Sequence, residues 1–335
     1  MLLLASLTSS ETSHSLPWAD ITEIANATNA SFHAMVMPLA EMVTLTYTAT
    51  YGSYYNHSQS NATVRGWARP LTRNPAVGMR ALLFVHEASE RAVVAFRGTD
   101  LNTSMASGEA DVCGGHLLFS GSESSLPTFC SKFSPETIDY WTSAVAFVRR
   151  AREACPRCRV LFTGHSLGAG LAFLMAASLS GGRATHTVSP AVAFSSPPWT
   201  EALIRKAPHI ALPSSAAMRS EWFALADEWD PVQREGYQRG GLLGTQCLWA
   251  SSEPQPCKLC YISKVINLTR PSCRMCFAER HIYSHYIYHD VPGDRPRCSP
   301  ILSPEEAPSA VHAPSSAIVE TMLARLERVD YKLQR

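Results

Sequence analysis

The sequence predicts an α/β fold in which a mostly parallel sheet carries helices on both faces. Short apolar runs, which are typical of buried strands, alternate along the chain with segments whose apolar residues recur at spacings of three and four. The apolar run 159–163 leads into a segment dense in Gly and Ala, whose small side chains let a helix lie close to a sheet. Strands that alternate with helices in this way favour parallel pairing.

The predicted strands are short and rich in β-branched or aromatic residues. The first two flank the polar segment 87–90, which predicts a turn between them. The predicted strands cover 81–85, 92–96, 159–163, 191–194 and 222–226.

Helical spacing predicts an opening helix over 31–51, a helix of about three turns over 138–148 and the small-residue helix after Ser166. A last amphipathic helix is expected over 318–333, after a proline-rich linker. Residues 101–131 have no steady period and are rich in Ser, Gly and Thr. We interpret them as a long loop, which either covers a site or is a plain surface insertion.

Composition limits the choice of partners and of compartment. The chain has 335 residues, with 29 Lys and Arg against 28 Asp and Glu, so no charge excess indicates a nucleic-acid partner. The ten cysteines predict a secreted or secretory-lumen protein, and so do the sequons. Residues 1–25 are a possible leader segment, and no apolar run is long enough to predict a membrane-spanning helix. The Asn-x-Ser/Thr sequons begin at Asn26, Asn29, Asn56, Asn61, Asn102 and Asn267.

The segment 164–168 reads Gly-His-Ser-Leu-Gly and matches the G-x-S-x-G pattern. Its glycines allow a sharp turn from strand to helix, and that turn exposes a side-chain hydroxyl at the sheet edge. The apolar run before the motif and the small-residue helix after it supply the expected context. Ser166 is therefore the candidate nucleophile.

A serine nucleophile needs a base, and the base needs a carboxylate that fixes its tautomer. Between Ser166 and residue 280 the only aspartates are Asp227 and Asp230, both just after the predicted strand 222–226. We prefer Asp230 because the following Pro-Val predicts a turn. The candidate bases are His281, His285 and His289, among which spacing does not choose, and His312 in the proline-rich linker.

An oxyanion that forms during acyl transfer needs fixed N–H donors. The residue after the nucleophile, Leu167, is one candidate. Thr99, in the Phe-Arg-Gly-Thr segment at the end of a predicted strand, is the other. None of these groups requires a metal or a cofactor.

Together these segments resemble the class 3 lipase family, the fungal triacylglycerol lipase type of α/β hydrolase. The resemblance covers about residues 35–298, and it implies an α/β-hydrolase fold with Ser166, Asp230 and His285 as the catalytic triad and with Thr99 and Leu167 in the oxyanion hole. His285 is selected because Tyr288 follows it by three places, as an aromatic residue does in the family. The segments that carry the resemblance are 94–99, 163–169, 194–197, 230–232 and 285–288.

Two residues depart from the family pattern. Ser195 stands where a glycine is usual, and Gln233 stands where a proline is often found. The segment 101–108 is also polar, whereas the family carries an amphipathic lid helix there.

Four cysteines form a pair of Cys-x-x-Cys motifs at a spacing that would suit zinc. In an oxidising compartment the same residues more often form disulfides, which we favour. A third Cys-x-x-Cys, Cys155 to Cys158, is expected to be a structural pair. The four clustered cysteines are Cys257, Cys260, Cys273 and Cys276.

We therefore expect one hydrolase domain over 26–300 with a Cys-rich insertion at 247–276, followed by a linker and helix over 301–335. The expected activity is hydrolysis of a lipid ester, an acylglycerol or the first acyl ester of a phospholipid, with action at a lipid–water interface left open. A thioesterase or peptidase on the same fold is an alternative. So is a binding protein with an inactive core that the Cys cluster stabilises.

Overall fold

The fold is organised around one eight-stranded mixed sheet, seen in a computed structural model of the chain. Its order is β1-β2-β3-β4-β5-β6-β7-β10, and a separate pair, β8 and β9, lies outside it. The strands are β1 (Ala68–Arg73), β2 (Ala81–His86), β3 (Arg91–Phe96), β4 (Arg159–Gly164), β5 (Ala191–Phe194), β6 (Trp222–Asp227), β7 (Thr245–Trp249), β8 (Tyr261–Ile262), β9 (Val265–Ile266) and β10 (Arg297–Pro300). The structure describes residues 24, 29–47, 66–100, 105–119, 126–180, 188–228, 230–233, 241–249, 261–262, 265–266, 272–273, 281 and 296–301.

The centre of the sheet is parallel and its edges are antiparallel. Strands β3 to β7 pair in parallel, whereas β1, β2 and β10 pair antiparallel to their neighbours. The central strands β5 and β6 are buried at every position, as expected for strands covered on both faces. All five strands predicted from sequence are present, and the prediction of a mostly parallel sheet is confirmed.

Helices cover both faces of the sheet. One face packs against α1, through apolar residues such as Val36, Leu39 and Val43. The other face packs against α4 to α7. The helices are α1 (Asn29–Leu45), α2 (Ala106–Phe119), α3 (Pro135–Ile138), α4 (Tyr140–Ala154), α5 (Leu167–Ser180), α6 (Thr200–Lys206) and α7 (Ser215–Glu221).

The predicted long loop at 101–131 is wrong in part, because α2 occupies 14 of its residues. Ten residues of α2 are buried, and they include small ones such as Gly114 and Gly115. A helix that is buried on nearly all sides shows no polar stripe and therefore gives no amphipathic period. The helix predicted over 318–333 lies outside the described residues.

Three disulfides join described residues: Cys113 to Cys130, Cys155 to Cys158 and Cys247 to Cys298. The first ties α2 to the 3₁₀ turn at 128–132, and the third ties β7 to β10. The expected Cys155–Cys158 pair is thus present. Among the described residues, no helix is both long and apolar enough to cross a membrane.

Candidate active site

The turn between β4 and α5 places Ser166 at the edge of the sheet where the parallel strands have their carboxyl ends. Ser166 has a φ of 55°, a left-handed conformation that a non-glycine residue rarely adopts. The flanking glycines make this turn possible. A Cβ on Gly164 would lie 2.3 Å from the Gly168 carbonyl oxygen, and one on Gly168 would lie 2.4 Å from the Phe96 carbonyl oxygen. The pattern G-x-S-x-G therefore reflects backbone contact on both sides of the serine.

The structure brings Ser166, His281 and Asp230 into one hydrogen-bonded series. His281 Nε2 lies 2.9 Å from Ser166 Oγ, and His281 Nδ1 lies 3.2 Å from both carboxylate oxygens of Asp230. Because a carboxylate only accepts, Nδ1 carries the proton and Nε2 accepts the serine hydroxyl. This is the tautomer that a general base needs.

The histidine in this series is His281, and not His285 as we expected. His285 itself lies outside the described residues, as does His289. The family rule of an aromatic residue three places after the histidine selected the wrong position for this contact, since Ser284 follows His281 at that spacing. Spacing from the residues alone had left His281 open as a candidate.

Of the two candidate aspartates, Asp230 is the one that meets the histidine. Asp227 ends β6, and its carbonyl accepts a hydrogen bond from the Asp230 N–H at 3.0 Å. The Asp230 side chain is fully buried and accepts hydrogen bonds from the N–H groups of Val232, at 2.8 Å, and Gln233, at 3.2 Å. These donors fix the carboxylate in the turn that the sequence predicted.

The environment of Asp230 favours its charged form. Burial alone would raise the pKa of the carboxyl, but the charge of His281 and hydrogen bonds from His281, Ser195 and Gln233 outweigh it, so the pKa lies below its usual range. Asp230 is therefore ionised at neutral pH and available to stabilise a positive imidazolium next to it.

Ser195 and Gln233, the two residues that depart from the family pattern, both form hydrogen bonds near Asp230. Ser195 follows β5 with a φ of 56°, and its hydroxyl donates to Asp230. The side-chain oxygen of Gln233 accepts the Ser196 N–H at 2.8 Å. The two polar residues thus add hydrogen bonds where the family has a glycine and often a proline.

The segment after β3 lies directly against the nucleophile turn. A Cβ on Gly98 would lie 2.5 Å from the His165 carbonyl oxygen and 3.1 Å from Ser166 Cβ. Thr99, next to it, is half-buried. Leu167 is the first residue of α5, so its N–H belongs to the first turn, where helices leave backbone donors without a partner inside the helix. Both predicted oxyanion donors therefore belong to backbone segments that flank Ser166.

A buried ion pair supports the Thr99 segment from behind. Arg97 Nη2 contacts Asp111 Oδ2 of α2 at 2.6 Å, and the same oxygen accepts the Asp100 N–H at 2.7 Å. The Tyr140 hydroxyl donates to the other oxygen of Asp111. Burial opposes the charge of Arg97, but the nearby charge of Asp111 outweighs it and raises the pKa of Arg97. Burial raises the pKa of Asp111 to about 6, so both groups are mainly charged at neutral pH.

Sequence reasoning missed two residues near the base. His165, inside the motif, and Tyr47, at the end of α1, are hydrogen-bonded to each other at 3.0 Å. From sequence, Tyr47 is only one of the residues in the helix predicted over 31–51. A helical period identifies an apolar helix face but does not show which of its hydroxyls meets a partner from another element.

The described residues contain no group of three or more His, Cys, Asp and Glu side chains that could hold a metal ion. Cys273 is disulfide-bonded, so its sulfur is not a thiolate ligand for zinc. Cys257, Cys260 and Cys276 lie outside the described residues.

A parallel sheet with antiparallel edges, helices on both faces and a serine on a strained strand-to-helix turn defines the α/β-hydrolase fold. Residues 93–209 match the model of the class 3 lipase family, "Lipase (class 3)". The resemblance drawn from the motifs is thereby confirmed.

Solved structures of fungal lipases are similar to the chain at low identity. A lipase from Rhizopus microsporus var. chinensis is 17% identical, with 68% of this chain and 77% of that chain covered and a TM-score of 0.40. Lipase II from Rhizopus niveus is 15% identical, with 68% and 83% covered and a TM-score of 0.41. Lip2 lipase from Yarrowia lipolytica is 13% identical, with 66% and 80% covered and a TM-score of 0.41. No curated protein matches the chain.

Proposed function

We propose that this protein hydrolyses carboxylic esters of lipids through Ser166, His281 and Asp230. One observation carries the proposal: the series in which Ser166 Oγ contacts His281 Nε2 at 2.9 Å and His281 Nδ1 contacts Asp230 at 3.2 Å. A serine hydroxyl is a weak nucleophile unless an adjacent base takes its proton, and this geometry supplies such a base.

In the acylation step, Ser166 Oγ attacks the ester carbonyl carbon while His281 Nε2 accepts the hydroxyl proton. The carbonyl oxygen becomes negative, and the N–H groups of Thr99 and Leu167 stabilise it. The imidazolium of His281 then gives its proton to the departing alcohol as the tetrahedral intermediate collapses. The products of this half-reaction are the alcohol and an acyl ester of Ser166.

Water completes the reaction by the same route. His281 takes a proton from the water, whose oxygen attacks the acyl carbon, and the proton returns to Ser166 Oγ as the carboxylic acid leaves. Asp230 remains ionised throughout and stabilises the charged imidazole. Its lowered pKa supports this role, since an acid that stays ionised does not compete with His281 for the proton.

The match of residues 93–209 to the class 3 lipase family model supports a lipid ester as the substrate. Within that class, we propose an acylglycerol or the first acyl ester of a phospholipid. The disulfides and the six sequons support a route through an oxidising, glycosylating compartment, so we propose that the protein is secreted or resides in the secretory lumen.

Labelling with a fluorophosphonate probe tests the proposal, because the probe reacts covalently with an activated serine. We expect labelling of the wild type, none of Ser166→Ala, and a loss on the order of a thousandfold or more in His281→Ala. His285→Ala and His289→Ala are the matched controls, and we expect both to label like the wild type. Loss of labelling in His285→Ala but not in His281→Ala would reassign the base.

Release of acid from emulsified triglyceride, phosphatidylcholine vesicles, a thioester and a peptide identifies the substrate class. We expect release from one of the two lipids and about background release from the peptide. Cleavage of the thioester or the peptide alone would favour the other hydrolase classes. Folded wild type that neither labels nor cleaves any of them would favour a binding protein with an inactive core.

A further inference from the structure

We infer that Tyr47 and His165 are positioning residues, which hold the base His281 and the oxyanion-hole segment in a fixed relation to each other. The inference rests on the proposed function, because it assigns a task to residues that surround the proposed base. Neither side chain contacts Ser166 Oγ, so neither is a catalytic residue in this assignment. Their effect passes through the backbones of Gly98 and His281.

Three hydrogen bonds connect the two segments. The Gly98 N–H donates to Tyr47 Oη at 2.9 Å, Tyr47 Oη contacts His165 Nδ1 at 3.0 Å, and His165 Nε2 contacts the His281 carbonyl oxygen at 2.8 Å. Gly98 precedes Thr99, the proposed oxyanion donor. A single connection therefore runs from the oxyanion side of the site to the base.

The direction of each bond follows from the acceptors. A carbonyl oxygen only accepts, so His165 Nε2 carries the proton. In the neutral ring His165 Nδ1 then accepts, and the Tyr47 hydroxyl donates to it. The Tyr47 oxygen is left to accept the Gly98 N–H, and every polar atom in the connection has one role.

Burial keeps His165 in the neutral form that this arrangement needs. The pKa of His165 is lowered to about 3, mainly because burial disfavours its charged form and also because His281 lies beside it. The two imidazole rings are 4.9 Å apart between centroids. A charged His165 would repel the imidazolium that forms on His281 during catalysis, whereas a neutral His165 does not.

Close packing leaves this connection little room to shift. A Cβ on Gly98 would lie 2.3 Å from Tyr47 Oη, so the loop approaches the hydroxyl as closely as a glycine allows. Tyr47 lies near the end of α1, His165 lies in the nucleophile turn and Gly98 follows β3. Three separate elements therefore meet at one hydroxyl and one imidazole beside the base.

The experiment compares Tyr47→Phe, His165→Leu and His165→Gln with the wild type on a dissolved short-chain p-nitrophenyl ester. Active sites are titrated with a fluorophosphonate probe, so that kcat is expressed per reactive serine. We expect kcat to fall about tenfold in Tyr47→Phe, the rate equivalent of one hydrogen bond, with KM within about twofold. We expect His165→Gln, whose amide N–H still reaches the carbonyl, to keep at least about five times the kcat of His165→Leu.

Thr46→Val is the matched control for damage to the end of α1. Thr46 is buried beside Tyr47, but within the part of the chain that the structure describes its hydroxyl bonds only to the Val43 carbonyl oxygen, at 2.6 Å. We expect Thr46→Val to lower the melting temperature without changing kcat per titrated site. A purely structural role for Tyr47 would give the same pattern, in which the titrated fraction falls and kcat does not.

Wild-type kcat per titrated site in Tyr47→Phe would overturn the inference while leaving the proposed function intact. If His165→Leu fails to fold, Tyr47→Phe alone still tests the inference, because it removes only one oxygen atom and is expected to fold. Folded wild type that is neither labelled nor active would overturn the proposed function first, and the positioning role with it.

Discussion

The Ser195 hydroxyl donates a hydrogen bond to the Asp230 carboxylate from a backbone held at a φ of 56°. A glycine at this position would relax the backbone but would supply no hydroxyl. The chain therefore combines conformational strain with a hydrogen bond to the proposed catalytic acid. The strain lowers the free energy of unfolding and the hydrogen bond raises it, and substitutions at Ser195 measure the two effects separately.

We predict that Ser195→Gly changes the free energy of unfolding by less than about 2 kcal/mol, because relief of about 1–2 kcal/mol of strain offsets the lost bond to a charged group. Its kcat is expected to fall several-fold because Asp230 loses one of its anchors. Ser195→Ala loses the bond and keeps the strain, so urea denaturation is expected to show it about 1–2 kcal/mol less stable than Ser195→Gly. Equal stability of the two variants would contradict a strained Ser195.

The buried His165 predicts a specific loss of stability in acid. In the unfolded chain His165 takes up a proton near its ordinary pKa of about 6.5, whereas in the folded protein burial lowers the pKa to about 3. The unfolded state therefore binds more protons between these values, and the free energy of unfolding falls as pH falls through this window.

We expect His165→Gln, which does not titrate, to lack this contribution. Between pH 6 and pH 4 the free energy of unfolding of the wild type should fall by about 2 kcal/mol more than that of the variant. Urea denaturation at a series of pH values measures both slopes, and the other titrating groups cancel in the difference. Parallel slopes would mean that folding leaves the pKa of His165 near its ordinary value.

The buried ion pair of Arg97 and Asp111 predicts that removal of the Asp111 charge strongly destabilises the protein. Both side chains are almost completely buried, so Asp111→Asn leaves the Arg97 guanidinium without its nearest carboxylate. We expect a loss of about 3 kcal/mol or more in the free energy of unfolding.

Glu109 offers a control two residues away on the same helix. It forms an ion pair with Lys132, whose side chain is about half exposed. Glu109→Gln is therefore expected to cost less than about 1 kcal/mol. Similar losses in the two variants by urea denaturation would show that burial does not set the strength of these pairs.

The disulfides predict a graded loss of stability that follows loop length. Cys113 and Cys130 are 17 residues apart, whereas Cys155 and Cys158 are only three apart. Replacement of the first pair by alanines is expected to cost about 3 kcal/mol, and replacement of the second about half as much, because the longer closed loop restricts the unfolded chain more. Thermal denaturation of the two double variants tests the order, and a larger loss for the shorter loop would contradict it.

The parts of the fold that sequence predicted well share a strong local signal. The strands β3, β4 and β6 are short apolar runs, and the turn at Ser166 needs glycines where the backbones touch. Asp230 was found because a proline marks its turn. In each case the residues that give the signal are neighbours in the chain, so a single segment is enough to recognise it.

The parts that escaped prediction depend on contacts between distant segments. Helix α2 is buried on nearly all sides, so its sequence carries no amphipathic period. The choice of His281 over His285 depends on which imidazole reaches a serine 115 positions earlier. The role of Tyr47 depends on His165, 118 positions later. Neither periodicity nor spacing reports contacts of this length.

The bond between Cys247 and Cys298 makes a covalent ring of the intervening chain, and His281 is a member of that ring. A single cleavage of the backbone inside this ring does not separate the chain into two molecules. If a protease cleaves one peptide bond between these cysteines, the disulfide still holds the two resulting fragments together. The fragment that carries His281 separates only when a reductant breaks the disulfide. The bond therefore lets the part of the chain that carries the proposed base tolerate a single proteolytic cut, which would suit the proposed secreted location.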